Sequence, residues 1–425
     1  MIQLQAYYKN LLNLLSLFLI CYILIPSYLP QLPVGPIYFS LDRFIFLLLI
    51  SYWFFGILFI PDILKNLLKV VKTQKPFFIL FYLHLAVIFI SSYLSGISNS
   101  LISSIYHIVY IFALTFIPLS IPLSFYYLSK ISKIFLFIGI FLILVSAFEL
   151  FLGTNPFTPF IDFGNLTEVQ QGMFSDITLA NVLRIKGTFS NPLSYGQFIV
   201  LFVPVLFFFR RFNKYKLLFN ILMIGLLFCG IMTKSRATFI IISLVIVVSI
   251  IYMWKSINFE LRIFTGFFVL FSCCLFLLLS PNVSDFFGGK KLTSDNNRES
   301  QLMMASPLIF NKPFFGYGFG QGSDALGYGT ENGGSSTIDN YFLTITLDTG
   351  LLGLLIFILL YSSVILFYKV NNILKPLYFG LLFFMINLLT LSLREIHPIY
   401  FLIISILILI QVNEKSNCHY FSQLQ

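Results

Sequence analysis

Charge is what this sequence lacks most. Only 10% of its 425 residues are Asp, Glu, Lys or Arg, against roughly 25% in soluble domains. With 58% hydrophobic residues and a mean hydropathy of +0.94, the chain reads as an integral membrane protein. Histidine is scarce as well, with 4 in the whole chain. There is no HExxH, no His/Cys cluster and no carboxylate triplet, so no catalytic metal is expected. Of the 5 cysteines, Cys21, Cys229, Cys273 and Cys274 fall in apolar runs and Cys418 in the tail. That pattern offers neither a disulfide framework nor a thiolate metal site. No GxGxxG follows a strand, which excludes a dinucleotide site, and no cofactor is expected. The net charge of +10 does not point to nucleic acid, because the Lys and Arg residues are scattered between apolar spans. There they read as topology determinants.

What is present is a series of long apolar runs. A bilayer core of roughly 30 Å needs about 20 residues at about 1.5 Å per residue. Such runs lie near 11–30, 41–60, 76–95, 101–122, 134–152, 188–209, 217–232, 237–253, 263–281, 341–368, 376–393 and 397–413. The expected fold is a single all-α polytopic membrane domain over 1–425, with about twelve transmembrane helices. The first run lacks a small-residue cleavage site and reads as a retained span.

Lysine and arginine give the orientation. Lys65, Lys69, Lys72 and Lys75 share the 61–75 connection, and Arg210, Arg211, Lys214 and Lys216 share 210–216. With alternating spans, Lys130, Lys133, Lys255, Arg262, Lys369, Lys375 and Lys415 fall on the same side. That side is expected to be cytoplasmic, with both termini in it. The other side receives a first loop at 153–187 and a large loop at 282–340, between the ninth and tenth spans. The large loop is the longest polar interruption in the chain. Polar backbone cannot face lipid, so this segment must lie outside the bilayer or in a protein-lined cavity.

Chemistry-bearing residues gather on that side. The first loop ends in RIKGTFSNP, where Arg184 and Lys186 either snorkel at an interface or hold an anion. The turn TKSRA puts Lys234 and Arg236 on the side where cations are disfavoured, and Arg236 opens a helix whose N-terminus favours anions. In the large loop, Asn296 and Glu299 form a weak capping box for a short amphipathic helix at about 297–306, which puts Arg298 in the first turn. Next, NKPFFGYGFGQG is either a flexible platform whose Tyr317 and Phe319 stack on sugars or a plain glycine-rich turn. Asp339 and Asn340 close the loop. Asp348, in the membrane zone, is a second functional acid or a structural partner for Arg236 or Arg394. Gly350 and Gly353 permit close helix packing. Glu395 adjoins Arg394 at the rim, while His84 and His107 read as isolated core histidines.

Four stretches together resemble the O-antigen ligase/polymerase superfamily of bacterial membrane glycosyltransferases. They are RIKGTFSNP at 184–192, TKSRA at 233–237, RESQLMMASPLIFNKPFFGYGFG at 298–320 and DNYFLTITLDTGLLG at 339–353. In the ligase branch the last motif opens with His. Here Asn340, Gly350 and Gly353 fit it but Asp339 replaces the His. That departure favours the polymerase branch. The resemblance implies a multi-pass protein of the bacterial cytoplasmic (inner) membrane with its active site on the outer face. It implies a polyprenyl-diphosphate-linked glycan as donor and, as partners, a chain-length regulator and a flippase. Arg184 and Arg236 would then hold the diphosphate, helped by Arg298, Lys186 and Lys234, because guanidinium binds phosphate oxygens bidentately. Asp339 would be the base, with Glu299, Asp348 and Glu395 as alternative acids, and Asn340 and Tyr317 would contact substrate. The leading expectation is polymerisation of lipid-linked repeat units into O-antigen, capsule or exopolysaccharide. The alternatives are ligase-type transfer to a lipid or protein acceptor, and a flippase or transporter. A transporter should carry ionisable or broken helices at mid-membrane rather than polar residues at one rim.

Overall fold

The computed structural model describes residues 2–26, 32–34, 37–160, 178–179, 182–253, 291–327, 338, 340–366, 374–389 and 396–416. The helices are α1 (Ile2–Leu24), α2 (Leu41–Phe59), α3 (Pro61–Thr73), α4 (Lys75–Ser95), α5 (Ser98–Ser120), α6 (Phe125–Leu152) and α7 (Pro192–Phe209). They continue with α8 (Lys216–Met232), α9 (Arg236–Met253), α10 (Lys291–Asn311), α11 (Gly322–Ala325), α12 (Tyr341–Leu366), α13 (Lys375–Leu388) and α14 (His397–Ser416). Two minimal antiparallel hairpins interrupt them, β1 (Leu32–Val34) with β2 (Ile37–Phe39) and β3 (Thr178–Leu179) with β4 (Val182–Leu183). The protein is thus an all-α polytopic membrane protein. Seven of the described helical stretches are long and apolar enough to cross a bilayer. The expected ninth span at 263–281 lies outside the described residues.

Side-chain contacts fix the direction of each helix. Tyr7 stacks on Tyr52 at 5.0 Å and Phe18 meets Phe46 at 5.2 Å, so α1 and α2 are antiparallel. Phe46 stacks on Tyr110 at 3.7 Å and Trp53 donates to Ser120 Oγ at 2.7 Å, so α5 runs with α2. Ser132, early in α6, donates to Phe209 O at the end of α7, while Glu149, late in α6, meets Lys186 just before α7. The bundle therefore has two distinct ends. One holds Lys65, Lys69, Lys72, Lys75, Lys130, Lys133 and 210–216, and is called here the lysine-rich end. The other, the loop end, holds 95–98, 184–191 and 233–236.

Two elements differ from the sequence expectation. The lysine-rich connection at 61–75 is a helix, α3. Its buried Ile63, Leu67 and Val70 recur at helical spacing, with Lys65, Lys69 and Lys72 exposed and Pro61 at the first turn, where its missing N–H costs nothing.

The second is α12, expected as one straight span over 341–368. A straight helix would separate residues 341 and 357 by about 24 Å. Instead the rings of Tyr341 and Phe357 lie 5.4 Å apart, and those of Phe342 and Phe357 5.9 Å. The chain doubles back at Gly350, whose φ of 72° and ψ of −177° are accessible essentially only to glycine. The limbs 341–349 and 351–366 form a V. Breaking a helix in a membrane frees backbone groups that need partners. The segment 313–318 supplies them: Leu351 N donates to Pro313 O (2.7 Å), Tyr317 N to Leu347 O (2.8 Å) and Gly318 N to Asp348 O (2.9 Å). Serines of α4 and α5 hold this strap from behind. Ser91 Oγ lies 2.6 Å from Phe315 O, Ser92 Oγ accepts from Phe319 N at 3.2 Å, and Ser100 Oγ donates to Phe319 O at 3.0 Å.

The fit leaves no room at the bend. A Cβ at Gly350 would sit 2.2 Å from the carbonyl of Phe314. Gly96 also has positive φ, at 70°, but a Cβ there meets nothing within 4 Å. Gly96→Ala therefore carries backbone strain alone, about 1–3 kcal/mol, whereas Gly350→Ala adds a clash with backbone. The melting temperature in detergent is expected to fall clearly further for Gly350→Ala. Equal losses would mean that the strap does not fill the bend.

Candidate functional site

The extended segment after β4 is pinned from two sides. On one side it meets the α8–α9 turn, 49 residues away in sequence: Arg184 Nε donates to Thr233 O at 3.0 Å, and Ile185 N to Met232 O at 3.3 Å. The stretches RIKGTFSNP and TKSRA are thereby brought together. On the other side stands Glu149, in the last turn of α6 and fully buried. Its carboxylate accepts from Lys186 N at 3.1 Å and from Gly187 N at 2.9 Å. Asn155 Nδ2 donates to Gly187 O at 2.8 Å, and Thr188 Oγ1 ties the segment to Ile23 O of α1 at 2.6 Å. Asn191 then caps α7 by accepting from Ser194 N at 2.8 Å, ahead of Pro192 at the first helical position.

The cations differ in setting. Arg184 is half-buried, next to the turn. Lys186 is not a snorkelling side chain at the mouth, as one reading of the sequence had it, but is 1% exposed. Burial lowers its pKa from 10.5 to about 8, with the Glu149 charge opposing the shift. Lys234 has φ 52°, the one positive φ of a non-glycine among the described residues. Such strain clusters at functional sites. Its pKa is lowered by burial and further by the nearby Arg184 charge. Ser235 caps α9 through Thr238 N at 3.3 Å, and Arg236 is the first residue of that helix. Like charges held together beside a helix N-terminus make a place that favours an anion.

A second cluster forms where α12 begins. Asp339 lies outside the described residues. Asn340 is the helix cap, its Oδ1 accepting from Phe342 N at 2.9 Å and Leu343 N at 3.2 Å. The amide oxygen is thus committed to the backbone. The bend at Gly350 brings Tyr341 to 4.5 Å from the ring of His397, a buried residue whose Nδ1 lies 3.3 Å from Tyr361 OH. His107 stands 6.2 Å from His397 and 4.7 Å from Phe319, so it is not an isolated core histidine. Sequence reasoning missed Glu149, His397 and Tyr361. A lone Glu at the end of an apolar run was the visible signal for Glu149; nothing local marks the other two. Helix α13 stands between the clusters. Gly380 packs on Leu201 and Pro204 of α7, and Phe384 lies 5.9 Å from His397.

Other expectations move. Tyr317 is not a free sugar platform: its OH donates to Leu308 O at 3.1 Å and Lys312 Nζ lies 4.7 Å from its ring. Phe319 is buried in the strap, so NKPFFGYGFGQG is neither a flexible platform nor a plain surface turn. Asp348 accepts from Gly322 N at 2.8 Å, which ties it to the head of α11. Helix α10 starts at Lys291, so Asn296 is not its cap and Arg298 is past the first turn; Arg298 and Glu299 are exposed. Glu395 and Arg394 lie outside the described residues. Among the described residues no group of three His, Cys, Asp or Glu could hold a metal ion.

The Lys186 setting has a pH signature. Its folded pKa, about 8, is below the ordinary 10.5, so folding favours the neutral amine. Stability from this group therefore rises as pH climbs from about 8 towards 10.5, where the unfolded chain alone still holds the proton. The melting temperature of the wild type is expected to gain on that of Lys186→Met over this interval. Parallel curves would mean Lys186 is charged and solvated throughout.

Comparison with known proteins bears on this geometry. Residues 221–358 match the family described as O-Antigen ligase. That range holds the TKSRA turn, α10, the strap, the first limb of α12 and the start of the second, but not Arg184. Over 143 residues the chain is 28% identical to a ComP-specific O-oligosaccharyltransferase of Acinetobacter baylyi, covering 32% of this chain. The match spans 26%, about a quarter, of that relative's length. The resemblance carried by the sequence motifs therefore holds, and the comparisons support the O-antigen ligase superfamily for this chain.

Proposed function

We propose that the protein transfers a glycan from a polyprenyl diphosphate lipid to an acceptor at the loop end, by ligase-type chemistry. The observation that carries this reading is the pairing of 184–187 with the 232–235 turn over the buried Glu149. The loop end is then the outer face of the cytoplasmic membrane, with the lysine-rich end inside.

In the reaction, the acceptor hydroxyl oxygen attacks the anomeric carbon. The bond from that carbon to the diphosphate oxygen breaks, and the diphosphate leaves with the bonding pair. Arg184, Lys234 and Arg236 neutralise the charge that grows on it, which is the larger catalytic term. The hydroxyl proton passes to the Asp339 carboxylate, ionised near neutral pH unless buried. Arg298 and Glu299, exposed on α10, are left to contact the glycan. The family and the Acinetobacter relative favour transfer to a separate acceptor over polymerisation. Asp339 in place of the ligase histidine keeps polymerisation as the second reading.

Reconstitution decides between them. In vesicles holding only a lipid-linked oligosaccharide, a ligase gives no product until a lipid or protein acceptor is added, whereas a polymerase gives a ladder at once. In that assay Arg236→Ala is expected to lose about 2–4 kcal/mol of transition-state stabilisation, and Lys to restore only part, for want of the bidentate fork. Because Asn340 already caps α12, Asp339→Asn tests the base alone and should abolish turnover. Wild-type rates for Arg236→Ala and Asp339→Asn would defeat the proposal.

A further inference from the structure

Below the cation segment, α7 carries polar side chains that its surroundings do not satisfy. Ser194 and Gln197 are both fully buried. Among the described residues, Ser194 Oγ and both Gln197 side-chain atoms, Oε1 and Nε2, have no hydrogen-bond partner. The same holds for Thr238 Oγ1, on the first turn of α9 and equally buried.

These groups belong to one place. A Cβ at Gly196 would lie 2.4 Å from Thr238 Oγ1, so α7 and α9 cross beside Gln197. Residues 194, 197, 201 and 204 recur at helical spacing on one face, and Leu201 and Pro204 of that face meet Gly380 of α13. Helix α13 returns towards the loop end, because the second limb of α12 descends along α4, with Gly353 beside Val87 and Phe357 beside His84. Two turns beyond Gly380 it brings Asn387, also fully buried, to the level of Ser194 and Gln197. Polar groups from three packed helices thus lie at one level inside the apolar bundle.

A buried amide or hydroxyl left dry is costly, more so within a membrane. We propose that α7, α9 and α13 enclose a binding site for a small neutral hydroxyl group, hydrogen-bonded by Gln197, Ser194 and Thr238. The chemistry of the set selects the guest. Gln offers two donors and an acceptor oxygen, and each hydroxyl offers both functions, so the guest must donate and accept. Phosphate only accepts, and its charge would find no opposite charge among these three side chains. Water meets the requirement, needing two to four polar partners, as does one hydroxyl of a sugar. The site stands apart from the transfer reading and does not rest on it.

Thermal stability of purified full-length variants tests it, with Gln197→Met and the near-isosteric Thr238→Val. If a guest bridges the set, each single change strands the remaining groups, and each lowers the melting temperature by about 1–3 °C. The triple variant Ser194→Ala, Gln197→Met, Thr238→Val removes every claim on the guest and should recover most of that loss. If each single change raises the melting temperature both with and without lipid-linked glycan, the groups are dry and the proposal is overturned. If Gln197 instead pairs directly with Asn387, Gln197→Met is destabilising while Thr238→Val is silent, and the proposal falls as well. Thr238→Val changes least in shape, so it carries the decision should Gln197→Met fail to fold. The source of the hydroxyl is read from a map of the protein stripped of glycolipid. Density at Gln197 there is water; density and a Thr238→Val penalty that appear only with lipid-linked glycan added identify a sugar hydroxyl.

Discussion

Backbone N–H and C=O groups inside a bilayer must find partners within the protein, and this constraint shapes both clusters at the loop end. Where the chain is helical the demand is met locally. At two of the places near the loop end where it leaves the helix, a dedicated filler is present. At 186–187 the filler is a carboxylate, Glu149, whose oxygens take two amide protons. At Gly350 it is a second piece of chain, the 313–318 strap, whose backbone replaces what the broken helix lost. Glu149 is fully buried, and the strap meets the bend through its backbone. Their work is to hold cations and a helix head in fixed positions.

The consequence is a division of labour around α13. On one side, Arg184 is fixed to the 232–235 turn with Lys234 beside it and Arg236 opening α9. On the other, the bend in α12 places Tyr341, next to the Asn340 cap, against His397, which in turn meets Tyr361. Straightening α12 would carry its first limb far from these partners. The glycine-rich motif thus has a part in positioning. Its glycines let one backbone approach another: a Cβ at Gly316 would stand 2.4 Å from Leu347 O.

Much of this was legible in the sequence. Apolar run lengths marked the spans, and lysine placement separated the two ends. The TKSR stretch stood out because two cations share a short turn on the side expected to disfavour them, and RIKG because two cations end the first long loop. Other features had no local signal. Tyr341 to Leu366 is mostly apolar, with Asp348 as its one charged residue, and a run of that kind reads as one straight span; the bend needs both Gly350 and a strap 30-odd residues upstream. Asn340 and Asp339 are equally good caps by residue type, so only the hydrogen bonds of Asn340 assign the role. Glu149 and His397 acquire meaning from partners 37 and 36 residues away, Lys186 and Tyr361. Sequence periodicity reports which face is buried, not what that face meets.

The central claim is that the pinned cation segment binds a diphosphate. Binding of a short-chain polyprenyl diphosphate without glycan, against the monophosphate of the same chain, to purified wild type and Arg184→Ala measures this without any turnover. The account predicts saturable binding that prefers the diphosphate in the wild type, and loss of that preference in Arg184→Ala while the melting temperature holds. Equal preference for the diphosphate in both proteins would contradict it.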